Sequence, residues 1–213
     1  MTTRVLSALL TSITMAAGMA LLQAAPASAQ VDMSCIVRSD MVPLEGRLSP
    51  LDSLTFRVAG QEAKICYGRP SSRGRTMIGS AAIAGAVNQM GVIPFGKIWR
   101  TGANEPTLLR TPVALVIAGV SVPAGTYSIY TVPGESEWEI IVNRSYSQWG
   151  HEGSYTDEIR AQEMGRGTVS SERADSHVET FTIRAEDLPD GNVHVILEWE
   201  RTRVRITVSA GGN

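Results

Sequence analysis

The chain is poor in the residues that mark the commonest functional classes. It has two cysteines and three histidines in 213 residues. Two cysteines are too few for a disulfide-dense miniprotein. No Cys-x-x-Cys occurs, so neither a redox motif nor a zinc knuckle is supported. His151, His177 and His194 form no His-x-His or His-Glu-x-x-His pattern. His151-Glu152 offers two metal donors, but spacing marks no third, and no metal or cofactor is expected. Gly-x-Ser-x-Gly is absent, which weakens an esterase reading. Charge of one sign is lacking too. The net charge of −2 leaves no basic excess to neutralise phosphates, so no nucleic-acid partner is expected. Heptads, Gly-x-y repeats, internal repeats and low-complexity linkers are missing as well, which excludes coiled coil, collagen and repeat arrays. With 43% hydrophobic residues, a packed core remains possible and a disordered chain does not fit.

What is present begins with a segment that reads as a signal peptide, residues 1–29. Arg4 supplies the positive charge, and Val5 to Leu22 is uncharged and apolar. Ala27-Ser28-Ala29 then offers a small-x-small cleavage site. An uncleaved anchor is the alternative, since 18 uncharged residues approach a span. Cleavage after Ala29 leaves 184 residues and no stable membrane anchor. Arg4 is the only charge removed, which takes the formal charge from −2 to −3. The expected location is periplasmic or secreted. There Cys35 and Cys66 can pair, and the loop between them gives about 3–4 kcal/mol in the chain-entropy model.

Residues 30–52 read as an irregular N-terminal arm with Pro43, Gly46 and Pro50. From residue 53 to 209 the dominant period is two. Leu54, Phe56 and Val58 alternate with Thr55 and Arg57. Tyr127, Ile129 and Thr131, then Trp138, Ile140 and Val142, do the same. So do Val193, Val195, Leu197 and Trp199, and Val204, Ile206 and Val208. Such alternation predicts half-buried antiparallel strands. Ala118-Gly119, Pro133-Gly134 and Pro189-Asp190-Gly191 punctuate them as turns. The expected fold is all-β, one antiparallel β-sandwich of jelly-roll type. Ser80 to Met90 and Thr156 to Met164 are the two windows with any helical character, and the second is expected to be extended up to Val169.

Two segments interrupt the alternation, 67–75 and 94–105. Together they carry Arg69, Arg73, Arg75, Lys97 and Arg100 against a single carboxylate, Glu105. Trp99 and Asn104 lie among them. These segments resemble a bacterial family of exported domains, DUF2911, whose function is unknown. The resemblance rests on Tyr-Gly-Arg-Pro at 67–70, Arg73-Gly74-Arg75 and the run from Phe95 to Glu105. It continues in Pro123-Ala124-Gly125-Thr126-Tyr127, Val132-Pro133-Gly134, Trp138, Gln148-Trp149-Gly150 and Leu197-Glu198-Trp199-Glu200. It covers residues 53–209 and implies no activity. In this chain the connection from Thr76 to Ile93 is longer than the resemblance suggests.

The constellation suits a small polar or anionic ligand, carbohydrate included. Arginine forks match carboxylate, sulfate or phosphate. Trp99 or Trp149 would be the apolar wall, and Asn104 and Glu105 the polar contacts. The competing reading makes Trp99 a core residue and pairs Arg100 with Glu105. A hydrolase using Glu105 as acid or base, with Glu198 or Glu200 as second carboxylate, is the catalytic alternative. An envelope interaction module without a pocket is the third. The leading expectation is binding without catalysis.

Overall fold

The computed structural model describes residues 31–79 and 93–212. The signal-peptide segment and the helical window at Ser80 to Met90 lie outside the described residues. Mostly β structure fills the rest. The strands are β1 (Leu51–Val58), β2 (Gln61–Gly68), β3 (Ile78–Gly79), β4 (Ile93–Pro94), β5 (Thr107–Thr111) and β6 (Leu115–Ile117). They continue with β7 (Val120–Val122), β8 (Gly125–Val132), β9 (Glu137–Asn143), β10 (Glu163–Asp187) and β11 (Val193–Ala210). One helical turn, α1 (Asp157–Arg160), follows a 3-10 turn at Glu152–Ser154. Residues 156–162 therefore form a helical turn before β10 begins, and the segment expected to be extended up to Val169 is so only from Glu163. No described helix is long and apolar enough to cross a membrane.

Nine strands form one antiparallel sheet in the order β1-β2-β5-β8-β9-β10-β11-β6-β7. β3 and β4 pair parallel in a separate two-stranded sheet, and the ladder of the other nine strands runs on unbroken. The 25-residue β10 makes this continuity. Its first part, Glu163 to Ser170, pairs with β9, and its later part pairs with β11. Register shifts between Arg173 and Thr182 mark bulges within the part paired with β11. The tight turns at Ala59-Gly60 and Ala118-Gly119 put both central residues at positive φ, the backbone of a two-residue hairpin whose twist matches its strands. The second of these splits the apolar run 112–122 into β6 and β7.

Side chains of both parts of the sheet enclose one core. Trp99 sits near its centre, 2% exposed. Its ring stacks on Trp199 at 5.7 Å and meets Phe181 edge-on at 5.0 Å and Trp138 at 6.1 Å. Past its last ladder residue, β2 reaches β10. Ser71 and Thr180 form a bridge, and the Phe181 amide donates to Pro70 O at 2.9 Å. The Tyr67 hydroxyl accepts from the Ile183 amide at 3.0 Å.

The opposite face of β2, β5 and β8 is not left to solvent. The arm, residues 31–50, lies against β2 and β5, and the segment after β9 covers β8, with Ser128 donating to Ser145 O and Tyr155 packing on Tyr130. Cys35 and Cys66 are bonded, with Cα atoms 5.7 Å apart, which pins the arm to β2. Leu108 and Arg110 on β5 are buried on this outer side, and Leu109 on the inner. All five residues of β5 are buried as a result.

Candidate functional site

The two unusual segments do meet, but backbone to backbone. A Cβ built on Gly68 would lie 2.1 Å from Ala103 O, and one on Gly102 would lie 2.9 Å from Gly68 O. Glycine is required at both positions because the chains touch there.

The intervening loop is wound tightly. Thr101 and Asn104 hold φ of +58° and +66°, and Thr101 is β-branched and fully buried. Such a conformation costs about 1–3 kcal/mol and persists where surroundings over-determine it. Here the Thr107 hydroxyl donates to Thr101 O at 2.6 Å, and the Thr101 hydroxyl donates to Thr131 Oγ1 at 3.1 Å. The Trp99 indole donates to Gly102 O at 3.1 Å, which turns the loop around the buried ring. Trp99 therefore belongs to the core and is no ligand wall, because its ring is wanted among Trp138, Phe181 and Trp199.

Glu105 is held by residues that sequence spacing did not mark. Arg47 of the arm donates from Nη1 to Oε2 at 2.8 Å and from Nη2 to Oε1 at 2.9 Å. The Arg38 amide donates to Oε1 at 2.6 Å. The side chains of Arg47 and Glu105 are 1% and 9% exposed. Burial pushes the Glu105 carboxyl upward, but the Arg47 fork and the Arg38 amide outweigh it and hold the group below its usual range. A carboxylate so fully engaged is poorly placed to move a proton. Arg100 does not pair with Glu105. It reaches Glu152 instead, Nε to Oε1 at 3.2 Å and Nη2 to Oε2 at 3.1 Å, and donates to Asn104 O at 3.3 Å. The reason is that Gly150 packs against Asn104 and Glu105, which brings the 3-10 turn beside Arg100. His151 caps that turn, its Nδ1 accepting from the Gly153 amide. Asn104 donates to Ser49 O at 3.0 Å, another contact with the arm.

The remaining cations are dispersed. Arg69 donates to Phe181 O and Thr182 Oγ1 and pairs with Asp52 at 3.1 Å. Arg75 donates to Ser71 O and Ser72 O, closing its own turn. Arg73 is exposed, with φ +50° and a long bond to Leu48 O at 3.4 Å. Lys97 is exposed and makes no side-chain bond among the described residues. Trp149 is half-buried. The second carboxylates of the hydrolase reading are occupied: Arg184 and Arg203 grip Glu198. The Glu200 carboxylate accepts from the Met77 and Ile78 amides.

Ser72, Glu179 and His177 come together without forming a triad. Ser72 donates to Glu179 Oε2 at 2.5 Å, and His177 Nε2 lies 3.3 Å from the same oxygen. The acid thus stands between serine and imidazole, where a nucleophile needs the imidazole. Ser72, the Arg73 amide and His177 lower the Glu179 carboxyl to about 2. Asn143 is fully buried, and its amide donates to Tyr155 Oη and Ile159 O.

A groove on the surface gathers three charged residues that form no ion pair among the described residues. It opens between the free edge of β1 and the end of β10, with a volume of about 310 Å³. Thr55, Phe56, Arg57, Glu62, Ala185 and Asp187 line it. No ion pair engages Arg57, Glu62 or Asp187 among the described residues. No sequence signal singled these out, because alternating polar residues on an edge strand look like ordinary surface.

These features define an all-β domain whose conspicuous polar residues serve its own loops and a disulfide-pinned arm. The chain belongs to the DUF2911 family, described as a protein of unknown function, whose family model matches residues 49–208. No curated protein and no solved structure matches the chain.

Proposed function

We propose that the chain is an exported, non-catalytic binding domain that takes a small polar ligand in the groove between β1 and β10. The observation that carries this reading is three charges outside any ion pair, the cross-strand neighbours Arg57 and Glu62 together with Asp187, around a recess of about 310 Å³. Ligand sites are concave and orient their ligand with a few convergent polar groups. Thr55 adds a hydroxyl and Phe56 an apolar edge, a combination suited to sugars and zwitterions. The disulfide supports export to an oxidising compartment, periplasmic or secreted. The engagement of Glu105 by Arg47 and Arg38 favours binding over hydrolysis.

A thermal-shift screen of sugars, nucleotides and organic acids tests the reading. At one hundred times Kd a ligand adds about 2.7 kcal/mol, roughly 5–10 °C for a domain of this size. Arg57→Ala and Asp187→Asn should each abolish that shift while leaving unliganded stability within about 0.5 kcal/mol. A shift retained by both variants sinks the groove.

A second reading, an interaction module, draws on Met41, Leu44, Leu48 and Tyr146. They are the exposed large hydrophobics of the described residues, and three of them lie in the arm.

A further inference from the structure

The arm also covers a charge that the fold leaves half-answered. Arg110 on β5 has a side chain only 8% exposed. A buried guanidinium is costly unless a carboxylate or a full set of acceptors meets it. Its Nη1 donates to Asp32 O and to Thr126 Oγ1. Its nearest carboxylate, that of Asp32, is 3.8 Å away and 71% exposed. Its Nε has no partner at all, and nothing bonds Nη2 among the described residues. Nε and Nη2 form the edge of arginine that grips a carboxylate or an oxyanion with two parallel bonds. Beside it stands a second cation. Lys64 on β2 is the register partner of Arg110, is half-buried, and makes no ion pair among the described residues. Like charges directly opposite across a strand pair repel. Thr126 on β8 is the register partner on the other side.

The geometry points to an anion site on the outer face of the sheet, in which Arg110, Lys64 and Thr126 hold a small oxyanion or carboxylate beneath the start of the arm. An anion answers the free fork of Arg110, relieves its repulsion with Lys64 and accepts from the Thr126 hydroxyl. Asp32 is then a weak internal competitor, since its carboxylate approaches the same guanidinium from the solvent side. The site is independent of the β1–β10 groove and uses none of its residues.

The test is the melting temperature of the purified, disulfide-bonded protein in inorganic phosphate, sulfate or acetate. Chloride holds the ionic strength constant. A saturable rise above the chloride baseline is expected. Phosphate and sulfate against acetate tell a tetrahedral oxyanion from a planar carboxylate. Lys64→Ala should melt slightly higher than wild type without anion, because the repulsion is gone. It should bind the anion about tenfold more weakly, equivalent to about 1.4 kcal/mol. Thr126→Val should weaken binding severalfold, and Asp32→Asn should strengthen it severalfold. The Arg110 Nε–Hε resonance should move with the same titration midpoint, which a purely structural arginine would not show. Arg57→Ala should leave the response unchanged, so failure here and failure of the groove are distinguishable. No rise beyond chloride overturns the proposal. So does a rise that Lys64→Ala and Thr126→Val both retain in full.

Discussion

The inner and outer faces of β2, β5 and β8 are held by different physics. Inside, Ile65, Leu109 and Ile129 pack into a continuous apolar core with the Trp99 cluster. Outside, Cys66, Arg110 and Ser128 lie under or beside polar contacts, and only Tyr130 at the β8 end joins a small apolar cluster with Ile141 and Tyr155. There a single covalent pin, a buried ion pair and a few backbone bonds fasten an irregular arm. Apolar burial is non-directional and indifferent to pH and redox state. The outer attachments are directional and respond to both. The same strands therefore carry one face that resists change and one that conditions can loosen.

The comparison is tested hardest at its two centres. Trp99→Ala should cost about 3–5 kcal/mol by cavity formation, seen as a lower urea midpoint. A loss under 1 kcal/mol would mean the aromatic cluster does not hold the inner face. Glu105→Gln should cost about 3 kcal/mol, because it leaves Arg47 buried without its counter-charge. Proteolysis within residues 36–50 should then precede global unfolding, which tests that this loss is local to the arm. Reducing Cys35–Cys66 should cost about 3–4 kcal/mol on the chain-entropy model and expose the same segment. If reduction instead lowers protection throughout the core, the two faces are one cooperative unit.

Acid gives a smaller and more selective effect. Glu105 sits below its usual range when folded, so its contribution is present in full above the unfolded carboxyl value of about 4.3. It fades as pH falls through the lower folded value. Hydrogen exchange in the arm should therefore rise below pH 4 before exchange in β8 and β9 does. Glu105→Gln should lack that step. Smallest of all, Lys97→Ala should change stability by less than about 0.5 kcal/mol, since the side chain is exposed and unbonded.

Much of the inner face was legible in sequence, since polar and apolar residue types alternate along its strands. β1, β8, β9 and β11 carry it plainly, β8 and most of β9 even though both of their faces are buried. β5 does not. Thr107-Leu108-Leu109-Arg110-Thr111 is covered on both faces and puts a leucine on each, so no period shows. Most of β10 escaped for the opposite reason. Its middle, from Glu172 to Glu179, is largely exposed and bulged, so no apolar rhythm marks it. At the candidate site, residue types were visible but partners were not. Arg47 lies 58 positions from Glu105, and Arg100 lies 52 from Glu152. Nothing in linear spacing predicts which arginine an acid will take.

By itself, then, the sequence determined that the chain is β, where most turns fall, that two cysteines are free to pair, and which family it joins. These follow from local rules: side-chain alternation, glycine and proline geometry, and motif identity. The tertiary structure alone decided that the arm buries Glu105 and Arg110 and that Gly68 meets Ala103. It also placed Trp99 in the core and gathered Arg57, Glu62 and Asp187 at the β1–β10 groove. Those outcomes depend on which distant segments are brought within a few ångströms. At that range ion pairing, desolvation and steric contact act, and no residue's neighbours along the chain reveal them.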